Sequence, residues 1–163
     1  MNSFIYRQLT SDDWQTFKNI RILGLTQDPR AFGRSLEDEV SKDEKYWRDR
    51  LSDSERLHYG AFLNNKLVAV GGLKKISDDN YMIVAVYTIP EYRKQGISTH
   101  LIELLLEYIK EKSIHIASLM VNKAQTSAVD MYIHMGFVTV KEEDHSFGDG
   151  VVYPALYMEK VVK

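Results

Sequence analysis

The amino-acid sequence predicts a mixed α/β protein in which about four helices flank a mostly antiparallel sheet of about six to seven strands. Segments rich in apolar and β-branched residues, typical of strands, recur along the chain. The pair Asn64-Asn65 between two of them indicates an antiparallel hairpin, because Asn tolerates the positive φ of a two-residue turn. An amphipathic stretch at 98–112 joins two further strands, and a helical crossover of this kind makes its two strands parallel.

Composition is that of a globular protein without a metal or disulfide scaffold. We expect one domain, residues 1–163, because this length buries a sizeable core, and 44% hydrophobic with 27% charged residues argues against disorder. The absence of cysteine excludes disulfides, a thiol nucleophile and thiolate metal sites. The five histidines lack a ligand spacing, so we expect no metal. A net charge of −2 gives no electrostatic basis for binding nucleic acid.

The location is expected to be cytoplasmic, with no membrane partner. No apolar run approaches the ~20 residues that span a bilayer. The start Met1-Asn2-Ser3 leads into an alternating segment, where a signal peptide would need an apolar block.

The first third of the chain is predicted to form one strand and two helices. Residues 4–9 alternate as a strand does, and Thr10-Ser11-Asp12-Asp13 resembles a helix start. After Gly24 a loop is expected around residues 28–33, and Ser41-x-x-Glu44 is a second capping box before the next helix. The residues predicted to face inward from the two helices are Trp14, Phe17, Ile20, Tyr46, Trp47 and Leu51.

The rest of the chain alternates strands with two more helices. The strand over 81–89 is nearly all apolar or β-branched, which favours a central place in the sheet. The helix that begins near Gln125 is expected to end at Gly136, a typical C-terminal cap. In order, the predicted elements are strands 59–63, 66–75 and 81–89, helix 98–112, strand 114–121, helix 125–135, and strands 137–142 and 151–161.

Acidic residues are dense between the first two helices. They are open to two interpretations, a rim that binds a cationic ligand or a solvated loop and helix. The residues concerned are Glu37, Asp38, Glu39, Asp43 and Glu44.

The stretch 86–99 is suited to binding a phosphate. A strand ends there, a basic loop follows, and a helix opens. Free N–H groups and the positive end of the dipole favour an anion at the start of a helix. Arg93 and Lys94 add positive charge, and Gly96 lets a ligand approach the main chain because it has no Cβ.

Two motifs then resemble the signatures of the GNAT (GCN5-related) N-acetyltransferases. Arg93-x-x-Gly96-x-Ser98 is similar to the acetyl-CoA signature Arg/Gln-x-x-Gly-x-Gly/Ala, with Ser in the last position. Ala128-x-x-x-Tyr132-x-x-x-Gly136-Phe137 is similar to the second signature, Asn-x-x-Ala-x-x-Leu-Tyr-x-x-x-Gly-Phe. Gln125 stands where that pattern has Asn. The resemblance covers about residues 59–160, and its two motifs together are specific.

The resemblance implies a GNAT-like sheet with a central, splayed parallel pair of strands and acetyl-CoA (coenzyme A) as cosubstrate. Pantetheine would lie in the opening between the two strands, against the main chain of the first. The amide of Thr88 would meet the thioester oxygen as it becomes an oxyanion. The cofactor-binding residues implied are Val86, Tyr87, Thr88, Arg93, Lys94, Gln95, Gly96, Ile97, Ser98, Thr99, Asn122 and Gln125.

The resemblance also implies direct attack of an amine on the thioester, with Tyr132 as the general acid that protonates the leaving thiolate. A packing role is the alternative for this tyrosine. The central strand lacks a carboxylate that could deprotonate the amine. Glu37 and Glu39, in the loop expected near the acceptor cleft, are therefore tentative candidates for a base or an acceptor-binding group. A water chain finished by His58 or Tyr87 is the other option.

The acceptor is expected to be a primary amine on a small molecule, a protein Lys or an N-terminus. The acidic first third favours a polyamine, an aminoglycoside or another cation. A second class of function stays open, a non-catalytic acyl-CoA-binding sensor or regulatory module, and so does a homo-oligomer. A nucleotide-binding domain is disfavoured because Gly-x-x-x-x-Gly-Lys-Ser/Thr and Gly-x-Gly-x-x-Gly are missing.

Overall fold

A computed structural model describes residues 3–163 as one seven-stranded sheet with helices on both faces. Met1 and Asn2, where the prediction about a signal peptide begins, lie outside the described residues. The strands are β1 (Ile5–Gln8), β2 (Arg56–Leu63), β3 (Lys66–Ser77), β4 (Asn80–Thr88), β5 (Ile116–Asn122), β6 (Val138–Ser146) and β7 (Val152–Val161). The helices are α1 (Trp14–Gln27), α2 (Leu36–Val40), α3 (Glu44–Ser52), α4 (Ile97–Glu111) and α5 (Thr126–His134).

The sheet has the order β1-β2-β3-β4-β5-β7-β6, and β4 with β5 is its parallel pair. The other neighbours are antiparallel, so the predicted fold class is confirmed. The hairpin turn is confirmed as well, since Asn64 and Asn65 have φ of 50° and 66°. No helix in the span from Ser3 to the C-terminus is long and apolar enough to cross a bilayer.

Strands β4 and β5 separate soon after they meet. Only Asn80–Met82 pairs with Ile116–Ser118, although both strands continue. A bulge in β4 accompanies the separation. Ala85 has a positive φ of 57°, and the register with β3 shifts between Val70 and Gly72. The two strands therefore leave an opening in the middle of the sheet.

The two faces of the sheet carry different helices. Helices α1 and α3 cover one face through a cluster that includes Phe17 and Trp47, both fully buried. Helix α4 covers the other face with buried Ile102 and Leu105, and Tyr132 of α5 packs into the same cluster. The opening between β4 and β5 thus lies between two packed layers.

Helix α1 continues past Gly24 to Gln27, and the rings of Phe32 and Tyr87 pack where a Cβ of residue 24 would be. The predicted loop around 28–33 follows it. Two local predictions in the first third are wrong. Helix α3 is capped by Asp43, whose side chain accepts from Tyr46 N, and not by Ser41. The acidic residues at 37–39 lie in the short helix α2, which was not predicted.

Two boundaries further along also differ. Helix α4 begins at Ile97, one residue earlier than expected, because Gly96 serves as its N-cap. Strand β6 continues to Ser146, into the segment predicted as a loop, because Asp144 to Ser146 pair with β7.

Candidate active site

A cavity of about 330 Å³ passes through the opening between β4 and β5. Its walls at the opening are Met82–Val86 of β4 and Met120–Asn122 of β5. Ala128 and Tyr132 of α5 line it on one face of the sheet. On the other face it is lined by residues of α1, α3 and the loop between α1 and α2. The cavity therefore joins the two layers of the fold.

The main chain at the end of β4 turns toward this opening. The N–H of Ile89 donates to Val68 O at 3.0 Å, which binds that residue to β3. Successive residues of a strand point their main-chain groups to opposite sides, so the groups of Thr88 point toward β5. The Nε of Arg93 donates to Thr88 O at 2.9 Å on that side. Beyond the short β4–β5 ladder, Thr88 N–H is then a donor directed into the opening.

The loop predicted to bind phosphate forms a second cavity of about 200 Å³. Lys94 and Gly96 have positive φ, 62° and 78°, and Gly96 caps α4. A Cβ on Gly96 would meet no atom within 4 Å, so the main chain there is open to a ligand. The residues around this cavity are Thr88, Tyr92, Arg93, Lys94, Gly96, Ile97, Ser98, Thr99 and Met131.

The hydroxyl of Ser98 has a partner within the protein. Its Oγ lies 2.7 Å from Oγ1 of Thr88 and ties the end of β4 to the first turn of α4. The neighbouring Ile97 is buried and anchors the helix, so only its main chain faces the loop cavity. Gln95 precedes the glycine and is exposed.

Tyr132 lines the cavity at the opening and is 6% exposed. Its ring packs edge-on against Phe137, with centroids 5.8 Å apart. Burial raises the pKa of its phenol, so the hydroxyl stays protonated across the physiological range. Ala128, one turn earlier on α5, leaves room beside the ring.

Asn122 and Gln125 also line the cavity, but protein groups already hold their amides. Asn122 Nδ2 donates to Arg30 O at 3.0 Å, and its Oδ1 accepts from Ala124 N at 2.9 Å. Gln125 Nε2 reaches Asp28 Oδ1 at 3.4 Å. These contacts fix the loop after α1 over the end of β5.

The prediction that Glu37 and Glu39 lie in a loop at the cleft is wrong. Both belong to α2, and neither lines the cavity. Glu37 is exposed to solvent. Glu39 has no exposed surface, because its carboxylate forms an ion pair with Arg21 and lies 3.6 Å from Arg50 Nη1. Glu39 therefore holds two arginines, while Glu37 is a surface residue.

The two residues considered for a water chain are also set back from the cavity. The hydroxyl of Tyr87 donates to Gln27 Oε1 at 2.8 Å, and its ring packs on Phe32. His58 is buried against the ring of Phe17. Burial, together with nearby arginines, lowers the pKa of His58 to about 3, so its ring is neutral.

Five cationic side chains line the cavity on the α1–α3 face, and the sequence analysis missed them. They are Arg21, Arg34, Arg50, Arg56 and Lys74. They come from different elements of the chain, so no local motif connects them. One signal was available, since the hairpin around Asn64-Asn65 brings Arg56 opposite Lys74.

Comparison with known proteins gives a family and a fold. A model of the acetyltransferase (GNAT) family matches residues 14–137. A search of curated protein sequences found no match. The chain superposes on an acetyltransferase of the GNAT family from Streptococcus pneumoniae with a TM-score of 0.79 at 16% identity, covering 99% of this chain and 100% of that one.

Two further solved structures were determined with a cofactor. PaiA N-acetyltransferase from Thermoplasma acidophilum, in complex with coenzyme A, gives a TM-score of 0.75 at 21% identity, covering 98% and 99% of the two chains. YncA from Salmonella typhimurium, with its cofactor acetyl-CoA, gives 0.79 at 10% identity, covering 99% and 95%. At identities this low, the superpositions show a shared fold and do not bear on the substrate.

Proposed function

The chain belongs to the acetyltransferase (GNAT) family, and from this premise we propose that it transfers the acetyl group of acetyl-CoA to a primary amine. The observation that carries the proposal is the opening between β4 and β5, with a basic glycine loop at the start of α4 and a tyrosine on its wall. The cofactor-bound structures of PaiA and YncA, which share the fold, support the same cosubstrate.

In this proposal the cofactor occupies both cavities. Its pyrophosphate lies at the first turn of α4, on the amides that follow Lys94, with the charges of Arg93 and Lys94 beside it. Its pantetheine arm extends from Thr88, which lines the loop cavity, past Val86 into the opening in the sheet. The thioester oxygen then faces a main-chain N–H on this open edge of β4, which stabilises the oxyanion that forms during attack. A single donor of this kind is typically worth ~10²–10³ in rate.

The chemical step is an acyl transfer in which the amine is the nucleophile. Its nitrogen lone pair forms a C–N bond to the thioester carbon, and the oxyanion collapses as the C–S bond breaks. Tyr132 donates its proton to the departing sulfur, the proton lost by nitrogen passes to water, and water returns a proton to the Tyr132 phenolate, which closes the cycle. Because the buried phenol stays protonated, the acid is available throughout the working pH range.

Deprotonation of the amine does not require a carboxylate in this site. A free primary amine has a pKa of ~10.4, so most of it is ammonium near neutral pH. Five cationic side chains line the cavity, and like charges disfavour the ammonium form and lower its pKa. A larger neutral fraction therefore binds beside the thioester. We assign the base to solvent, since both Glu37 and Glu39 lie away from the cavity.

Release of coenzyme A tests the proposal and separates it from a non-catalytic acyl-CoA sensor. The protein has no cysteine, so a thiol reagent detects only the released cofactor. With acetyl-CoA and a panel of amines we expect continuous, acceptor-dependent thiol release. Tyr132→Phe should bind acetyl-CoA as the wild type does but lose ~10²-fold or more in kcat. Binding of acetyl-CoA without turnover for any amine would favour the sensor.

A further inference from the structure

The cavity on the α1–α3 face has an excess of positive charge. Five cations line it, and none of its lining residues within 3–163 is Asp or Glu. Glu39 is shared by Arg21 and Arg50, Asp38 lies 3.3 Å from Arg34, and Asp53 lies 3.5 Å from Arg56. Lys74 makes no ion pair within the described chain. Three carboxylates therefore face five cations.

Arg50 carries the clearest unmet interaction. Its side chain is only 11% exposed, and its Nε and Nη1 have no hydrogen-bond partner in the described part of the protein. Burial, with Arg21 nearby, lowers the pKa of its guanidinium. Those two nitrogens are themselves buried, so a ligand in the cavity contacts the exposed part of the guanidinium, and an oxyanion there offsets the cost of burying the charge.

The guanidinium of Arg50 is also held in position before any ligand arrives. It lies over the rings of Phe17 and Trp47, with its carbon 5.6 and 5.9 Å from their centroids. Both rings are fully buried and belong to the core beneath the cavity. A planar, pre-oriented guanidinium is suited to carboxylate or phosphate groups, which it binds through charge-assisted hydrogen bonds.

The phosphates of the cofactor do not lie against these cationic side chains. The proposed pyrophosphate site at the start of α4 is a separate cavity, and it shares no lining residue with the cavity that Arg50 lines. The cations also lie on the face of the sheet that α1 and α3 cover, whereas α4 covers the other face.

We propose that the amine acceptor carries an oxyanion, a carboxylate or phosphate group, which binds Arg50 and Lys74 while the amine reaches the thioester. The inference rests on the proposed function and names its substrate class. The cavity of about 330 Å³ also takes the pantetheine arm, so the part left on the α1–α3 face fits a small molecule. The positive lining repels a polyamine or another polycation, the class that the acidic sequence of the first third favoured.

Simple oxyanions test the site without turnover. Inorganic phosphate and acetate are titrated separately into the protein saturated with coenzyme A, which occupies the pyrophosphate site, and binding is followed by NMR. We expect at least one of the two anions to bind, and the stronger one identifies the group. Binding should weaken ~10-fold or more in Arg50→Gln and in Lys74→Gln. Failure of both anions to bind the wild type would overturn the inference, whatever the protein catalyses.

Pairs of acceptors with and without an oxyanion test the proposal by enzyme kinetics. β-Alanine is compared with β-alaninamide, and O-phosphoethanolamine with ethanolamine, at saturating acetyl-CoA. We expect kcat/KM to be ~10–100-fold higher for the member that carries the carboxylate or phosphate, in at least one pair. Equal values within both pairs, or a preference for 1,4-diaminobutane over all four, would contradict the proposal even though acetyl transfer itself would stand.

The variants have a matched control on the same helix. Arg48 of α3 is paired with Glu44 at 2.7 Å and does not line the cavity. Arg48→Gln should therefore keep the preference for the acceptor that carries the oxyanion. Arg50→Gln should lose that preference with unchanged affinity for coenzyme A. Lys74 is exposed, so Lys74→Gln gives a readout if Arg50→Gln folds poorly. A preference that survives in both folded variants would show that these cations do not select the acceptor.

Discussion

Gly96→Glu is the change that most directly perturbs the proposed cofactor site. Gly96 caps α4 with a φ of 78°, and a Cβ built there meets no atom within 4 Å. The Cβ of the new side chain therefore meets no atom of the protein. It projects instead from the surface on which we place the pyrophosphate, and it brings a negative charge to the positive end of the helix dipole.

The expected loss of affinity follows from Coulomb's law. A carboxylate ~5 Å from one phosphate charge, at an effective dielectric constant of ~20, is repelled by ~3 kcal/mol. Each ~1.4 kcal/mol is a factor of ten in an equilibrium constant, so this term alone weakens binding by more than ~10²-fold. Steric exclusion adds to it. The left-handed φ destabilises the folded protein by only ~1–2 kcal/mol, because one residue is affected.

Calorimetric titration with coenzyme A measures this loss, and Gly150→Glu is the matched control. Gly150 has a φ of +76° and, like Gly96, open space around its Cβ position. It lies between β6 and β7 and lines neither cavity, although its N–H donates to the main chain of Phe147, which lines the larger cavity. Gly150→Glu should share the small loss of stability in denaturant unfolding and bind coenzyme A as the wild type does. Equal affinities for wild type and Gly96→Glu would refute the placement of the pyrophosphate.

Three further predictions concern buried groups. Ser98→Ala removes the bond to Thr88 and should lower the free energy of unfolding by ~0.5–1.5 kcal/mol with coenzyme A affinity nearly unchanged; a large loss of affinity would assign the hydroxyl to the cofactor. Glu39→Gln leaves Arg21 and Arg50 without their carboxylate, so the free energy of unfolding measured in denaturant should fall by ~3–5 kcal/mol. Folded His58 stays neutral to a pKa of about 3, whereas the unfolded side chain titrates near ~6.5. Stability contributed by neutral His58 is therefore lost as the pH falls below ~6.5, by ~1.4 kcal/mol per pH unit, and unfolding between pH ~7 and ~5 should depend less on pH in His58→Leu.

Local patterns predicted the elements that depend on local chemistry. The turn at Asn64-Asn65 and the cap at Gly96 both need positive φ, and the residue types report that need. The parallel pair followed from the crossover helix, because the chain connection alone determines strand direction. The two signatures identified the family for the same reason, since each is a short run of residues around one turn or one helix.

The errors lie where distant residues decide the outcome. Gly24 lies inside α1, where the rings of Phe32 and Tyr87 leave no room for a Cβ, and no local pattern shows these rings. Glu39 looked like one member of a solvated acidic cluster, but Arg21, one helix earlier, holds it inside the protein. The net acidic composition of the first third therefore gave the wrong sign for the cavity, because the acidic side chains face solvent or pair with arginines.

The positive cavity could not be predicted for a related reason. Arg21, Arg50 and Lys74 come from α1, α3 and β3, and only the packing of those elements brings them to one opening. Burial also changes what such side chains do. Arg50 would be an ordinary solvated arginine on an isolated helix, whereas here the core rings and Glu39 fix its guanidinium at the cavity wall.

Product stoichiometry is the sharpest test of acetyl transfer to an amine. The protein is incubated with acetyl-CoA and an acceptor that supports thiol release, and both products are quantified by mass spectrometry and thiol titration. We expect equal amounts of free coenzyme A and N-acetylated acceptor, with both rates reduced in parallel in Tyr132→Phe. Coenzyme A released without acetylated amine, or no release with any amine despite tight binding of acetyl-CoA, would contradict acetyl transfer.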